Sequence, residues 1–261
     1  MKQSEIVKPV GLETPCEEIE HTCGKAQLYK RCGLRPNHLV IPLDAGSGRT
    51  TFLAYMTGRY REAGVLEFAS GLDDYIEIAF DGTLSQLKQA FAAIDAASVY
   101  TNEYCNIVGM DISGIAAHLG ETQFTEFMKN CKRVCGHACV VFFVHTVPNR
   151  NEEKLLEKLC ETIGNIRRLT VEPYTKDDMC ALIVKRMTER GIEIRHAAAF
   201  CAALLDMVSR FDVSSVKDAN AAADALLHFA DFSGFTPVVD ENSLKSMIDG
   251  RDRETERREV K

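Results

Sequence analysis

The chain is predicted to be an α/β protein: a three-layer domain built on a parallel sheet of five strands, followed by a small all-α domain. Three observations predict it. Apolar runs bounded by turn residues alternate with stretches of helical periodicity from residue 38 to residue 174. One run, Cys139-Val140-Val141-Phe142-Phe143-Val144, is apolar throughout, as expected of a strand covered on both faces. Beyond Pro173 the strand-like runs stop and helical spacing takes over.

In order, the expected strands are 39–43, 75–80, 107–110, 138–145 and 166–171. The run 51–63 reads as a helix after the first strand. Leu84, Leu87, Phe91 and Ile94 recur at helical spacing after an Asp81-Gly82 turn. Phe124, Phe127, Cys131 and Cys135 form a second stripe, and Leu155, Leu156, Leu159, Cys160 and Ile163 a third. In the all-α part, Thr175 with Asp178 three residues on is a variant capping box. Met179, Leu182, Ile183 and Met187 make the buried face of the helix it opens, and Gly191 ends it. Further helices are expected at 196–209, 214–231 and 241–248. The expected organisation is a lead-in segment (1–35), the α/β domain (36–174), a helical lid (175–248) and a charged tail (249–261), solvated or frayed.

With 261 residues and 46% hydrophobic content the chain can bury a sizeable core. A net charge of −7 argues against a dominant nucleic-acid-binding surface, though a local basic patch and nucleic-acid binding stay open. No apolar run is long enough to span a membrane. Nothing resembling a secretory leader follows Met1-Lys2-Gln3-Ser4-Glu5, so the expected compartment is the cytoplasm. The chain has 10 cysteines and no C-x-x-C pair. Burial as small hydrophobes accounts for Cys131 and Cys135, and unpaired thiols suit a reducing cytosol. Cys16, Cys23 and Cys32, near His21, are a weaker metal candidate.

The segment that carries chemistry is Leu43-Asp44-Ala45-Gly46-Ser47-Gly48-Arg49-Thr50. It fits the phosphate-loop pattern G-x-x-x-x-G-K-[ST] with two changes, Leu43 for the first Gly and Arg49 for the Lys. Such a loop cradles phosphate with backbone N–H groups and the positive end of the following helix. Ala45, Gly46, Ser47, Gly48, Arg49, Thr50 and Thr51 are therefore the candidate binding residues, and the alternative is an ordinary Gly-rich strand-to-helix turn. Leu43 puts a side chain at the loop entrance. Arg49 keeps the charge, but its planar fork is not the compact point charge of Lys. Thr50 retains the hydroxyl that would hold Mg²⁺. Asp111, closing the third strand, stands where such proteins place the Asp behind that ion. The residue after it, often a water-polarising Glu, is Ile112. At the end of the fourth strand, His145 and Thr146 are candidates for touching a terminal phosphate or orienting water. Arg167 and Arg168 are candidates for reaching a neighbouring subunit's phosphate, with plain surface arginines as the alternative.

On these residues the chain resembles an AAA+ ATPase module of the P-loop NTPase superfamily, most like the sporulation and Rubisco-activase-type proteins. The resemblance covers residues 8–248. It includes Val10-Gly11-Leu12 ahead of the loop, the loop itself, Asp111, the polar end of the fourth strand, Glu172-Pro173-Tyr174-Thr175, Gly191-Ile192-Glu193-Ile194 and Val238-Val239-Asp240-Glu241. It implies bound ATP or ADP with Mg²⁺ on Thr50 and Asp111, the nucleotide lying between α/β domain and lid. Lys217, in Ser214-Ser215-Val216-Lys217-Asp218, would inherit the family's second sensor, an Arg facing the terminal phosphate. The family tends to form rings, so a homo-oligomer or another protein partner is implied. The departures matter as much: the loop Lys, the Glu after Asp111 and a clear arginine finger are altered or missing. No aromatic pore loop occurs where Asp81-Gly82-Thr83 stands. The expectation is a nucleotide-binding regulator or assembly component with little or no hydrolysis. The alternatives are a slow ATPase using Arg49 and a nucleotide-free interaction scaffold.

Overall fold

A computed structural model describes residues 6–66, 75–79, 89, 91–92, 106–115, 121–232, 234 and 236–259. The chain divides into two compact units, Met1–Glu172 and Pro173–Lys261.

The first unit opens with two helices, α1 (Glu13–Gly24) and α2 (Ala26–Cys32), so the lead-in segment is itself folded. There follow β1 (His38–Pro42), α3 (Arg49–Ala63), β2 (Tyr75–Ala79), β3 (Asn106–Asp111), α4 (Glu121–Cys135), β4 (Ala138–Val144), α5 (Arg150–Thr162) and β5 (Ile166–Arg168). The five strands form one parallel sheet in the order β2-β3-β4-β1-β5. The expected five-stranded α/β architecture is observed. The last strand stops at Arg168 rather than at 171, and Arg167 and Arg168 lie inside it. Most of the helix expected around Leu84, and the Asp81-Gly82-Thr83 turn, lie outside the described residues. Phe91 from that stretch is buried, its ring tilted against Phe127 at 6.3 Å between centroids.

Side-chain alternation along the strands builds two cores, one per face. On one face Val40, Val108, Met110, Val140, Phe142 and Val144 meet Phe127 and Cys131 of α4 and Leu155, Leu156 and Leu159 of α5. On the other, Leu39, Ile41, Ile107, Cys139, Val141 and Phe143 meet Cys16 and Ile19 of α1 and Phe52, Leu53, Met56 and Tyr60 of α3. β4 is buried along its full length, the reason its sequence shows no polar alternation. Leu43 belongs to the second core and is 2% exposed. Its isobutyl group therefore points beneath the loop, not into its entrance.

The second unit contains α6 (Lys176–Glu189), β6 (Glu193–Ile194), α7 (Ala197–Arg210), α8 (Val216–Leu226), a 3₁₀ turn (Leu227–Phe229), β7 (Val238–Val239) and α9 (Glu241–Glu259). Its core gathers Met179, Ile183, Met187, Phe200, Leu204, Met207, Leu226 and Leu244. The Thr175–Asp178 capping box is formed in both directions. The unit is not purely helical: β6 and β7 pair in parallel, Glu193 with Val238 and Ile194 with Val239. Two-residue strands carry no periodicity to detect, so the sequence gives no sign of them. The charged tail continues α9 as a helix to Glu259. No helix among the described residues is long and apolar enough to cross a membrane.

Candidate functional site

The loop between β1 and α3 owes its path to two glycines. Gly46 and Gly48 have φ of 82° and 93°, values that a residue with a Cβ rarely adopts. Gly48 caps α3, accepting from the Phe52 N–H at 2.9 Å, and the Ser47 N–H turns back to the Asp44 carbonyl at 3.2 Å. Ala45 and Gly46 are exposed, as are Thr50 and Thr51 on the first turn of α3. The loop is pinned to the end of β4 by Asp44, whose carboxylate accepts from the Thr146 N–H (3.2 Å) and hydroxyl (2.7 Å).

Arg49 does not extend into the loop mouth. It is 6% exposed, and its side chain turns back over the carboxyl edge of the sheet. Nε donates to the Leu43 carbonyl at 2.7 Å, and Nη1 donates to Asp111 Oδ2 in an ion pair. The guanidinium carbon stands 5.2 Å from the centre of the Phe143 ring, within cation–π range. Parallel register makes this convergence: Ile41, Phe143 and Asp111 lie in one row across β1, β4 and β3. The third nitrogen, Nη2, is buried without a hydrogen-bond partner.

Both carboxylate oxygens of Asp111 are engaged. Oδ1 accepts from both the N–H and the hydroxyl of Ser113, and Oδ2 is held by Arg49. Burial alone would raise its carboxyl pKa. The Ser113 and Arg49 hydrogen bonds and the guanidinium charge outweigh burial and hold it below the ordinary carboxylate value. The Thr50 hydroxyl donates to Glu77 of β2 at 2.7 Å. So Asp111, one of the two residues expected to hold Mg²⁺, is already engaged by a cation and as arranged here does not fit the ion, whereas the Thr50 oxygen keeps its lone pairs. The physical reason is that a resident guanidinium already neutralises the carboxylate. Among the described residues no group of three or more His, Cys, Asp or Glu side chains could hold a metal.

The other candidates are placed as follows. His145 Nδ1 lies 2.5 Å from Oε1 of the buried Glu152, whose second oxygen accepts from the Asn149 N–H in the capping box of α5. Both His145 and Thr146 thus have structural partners at the sheet edge. Lys217 is exposed on the first turn of α8, in the second unit. Arg167 pairs with Glu18 at 2.6 Å and Arg168 with Glu153 at 3.0 Å, both within the same chain. Cys16 is buried in the core, its thiol pushed up to about 12, chiefly by burial. Cys23 is half-buried with Sγ 3.5 Å from the Arg59 carbonyl, and Cys32 is exposed, so the three do not form a metal cluster.

The sequence reading missed four partners at the site: Asp44, Glu77, Phe143 and Ser113. Only Ser113 had a local signal, since an Asp followed two residues on by Ser is the spacing of an Asx turn. Of the other three, Glu77 and Phe143 come from separate strands and Asp44 from the loop itself, and their contacts form only when the sheet is assembled.

With this geometry in hand, the fold can be assigned. It is a five-stranded parallel sheet with flanking helices, matching that of solved AAA+ ATPases of the P-loop NTPase class. The RuvB Holliday junction branch migration motor of Thermotoga maritima is similar in structure with a TM-score of 0.57. The identity is 13%, over 94% of this chain and 73% of that one. PCH-2 of C. elegans is similar with a TM-score of 0.55 at 9% identity, over 89% of this chain and 67% of that one. No family profile matches the chain, and no curated protein sequence is detectably similar to it.

Proposed function

We propose that this protein is an AAA+-like nucleotide-binding regulator or assembly component in which ATP or ADP is held by the loop at 45–48 and hydrolysed little or not at all. The observation that carries the reading is the placement of Arg49. A loop cation that transfers phosphate must lie on the β- and γ-phosphates. Here the guanidinium lies against Leu43, Asp111 and Phe143 with two of its three nitrogens already committed, so it cannot follow the γ-phosphate through transfer. The missing Glu after Asp111 points the same way, since loss of a water-orienting or charge-stabilising group in phosphoryl transfer costs on the order of 10³-fold or more. The backbone of 45–48 at the start of α3 does not depend on those side chains, so phosphate binding is the property that survives.

In this reading Lys217, His145 and Thr146 are not catalytic, and Thr50 and Thr51 contact the nucleotide from the first turn of α3. The partner is a second copy of the chain or another protein in the cytoplasm. The proposed affinity with sporulation and Rubisco-activase-type proteins rests on the sequence resemblance alone, including the stretches at 10–12, 43–51, 172–175, 191–194 and 238–241 and Asp111.

The Arg49–Asp111 pair also favours a second reading, a scaffold that keeps the fold without any nucleotide. Calorimetry and thermal unfolding with ATP and ADP separate the two. At a hundredfold excess over Kd a bound nucleotide stabilises by about 2.7 kcal/mol, a rise of several degrees in Tm, while the scaffold gives neither heat nor shift. A phosphate-release assay on the native chain and on Arg49→Lys tests the slow ATPase: appreciable turnover by the native chain would overturn the regulator reading.

A further inference from the structure

We infer that Arg49 is a resident cation standing in for Mg²⁺, so that the loop takes a nucleoside di- or triphosphate free of divalent metal. This rests on the nucleotide-binding reading and narrows its ligand. Two observations carry it. The Asp111 carboxylate, the natural inner or outer partner of a divalent ion, already holds a full positive charge through Arg49 Nη1, and its other oxygen belongs to Ser113. Arg49 Nη2 is buried, in a residue 6% exposed, and lacks an acceptor.

A guanidinium offers donors on all three nitrogens. Nε serves Leu43 and Nη1 serves Asp111. A buried donor without a partner is an uncommon arrangement. The acceptor that best fits a guanidinium fork is a carboxylate or phosphate oxygen. A phosphate oxygen on Nη2 would complete the set and join the ligand to Asp111 through the guanidinium, the bridge that a divalent ion makes between carboxylate and phosphate in metal-dependent sites. A Mg²⁺ brought to Asp111 would stand beside the guanidinium, like charge against like, which is unfavourable.

The test is calorimetric titration of the full chain with ADP and with ATP, once in EDTA and once with excess Mg²⁺. Binding of Mn²⁺ alone is followed by its paramagnetic relaxation. The expected result is a Kd that differs by less than about threefold between the two buffers, and no Mn²⁺ binding by the native chain. Arg49→Lys has no fork to span Leu43 and Asp111 together, so it should free the carboxylate, bind Mn²⁺ and make nucleotide binding at least about tenfold tighter with metal. Native binding that requires Mg²⁺, or native binding of Mn²⁺ alone, overturns this inference and leaves the nucleotide reading standing. An Arg49→Lys chain as indifferent to metal as the native one overturns it too. No heat with either nucleotide in either buffer removes the nucleotide reading and this inference with it. Should Arg49→Lys fail to fold, the native comparison decides.

Discussion

Leu53 of α3 rests on the bare Cα of Gly109 in β3. A Cβ at position 109 would lie 2.5 Å from Leu53 Cδ1 and 3.1 Å from Phe143 Cε2. The helix that begins at the phosphate loop thus sits close to the sheet because β3 has no side chain there. Gly109 also lies two residues before Asp111, so the contact helps fix the depth at which Arg49 meets that carboxylate.

Gly109→Ala is therefore expected to destabilise the chain by about 1–3 kcal/mol, the cost of overpacking a filled core. Urea unfolding measures it. Adding Leu53→Ala should recover part of the loss, because the methyl group then enters the space Leu53 vacates. Two simply additive losses would show that the pair is not in contact.

Asp111→Asn and Arg49→Met should each cost about 2–4 kcal/mol by leaving one member of a largely buried pair uncompensated. The double variant should lose clearly less than the sum, since neither charge is then stranded. Denaturant midpoints of the three chains, taken with unchanged slopes, check this.

Acid should weaken the fold in two separate windows. His38 is 5% exposed, and its Nδ1 accepts from the Val140 N–H at 3.1 Å, so the imidazole is neutral in the fold. Burial, with the Arg35 charge as a lesser cause, pushes its pKa down to about 4 from 6.5. Between those values the unfolded chain binds the proton and the folded chain does not, so stability falls as pH drops from 6.5 toward 4. The loss is about 3 kcal/mol by pH 4. The Asp111 pair adds a second loss only at lower pH, as its depressed carboxyl becomes protonated. Thermal unfolding from pH 7 to pH 4 should show the first loss in the native chain and a flatter curve in His38→Asn.

The described thiols should divide sharply by reactivity. Cys32 and Cys201 are exposed, while Cys16, Cys131, Cys135 and Cys139 are buried. Burial also raises the pKa of Cys16, Cys131 and Cys135, which keeps them as unreactive thiols. Brief maleimide treatment of the native chain, read by peptide mass spectrometry, should label Cys32 and Cys201 first. The buried set should follow only as the fold opens.

Much of this protein was legible as a string of residues, for identifiable reasons. The apolar run at 139–144 announced a strand buried on both faces. The stripe through Phe127, Cys131 and Cys135 announced a helix, and Thr175 with Asp178 announced where another begins. These are local properties: a strand's period, a helix's period and a cap each depend on neighbours a few positions apart. The two positive-φ glycines of the loop belong with them. What the tertiary structure alone decided is where the charge at position 49 goes. The letter Arg is compatible with a side chain reaching into the loop mouth or turning back over the sheet. The choice depends on Asp111, Phe143 and the Leu43 carbonyl lying side by side, and these are neighbours only because β1, β4 and β3 pair in parallel and in register. Electrostatic partners separated by 62 positions leave no periodic trace. The same holds for the clasp of Asp44 on Thr146, and for the two-residue ladder of β6 and β7.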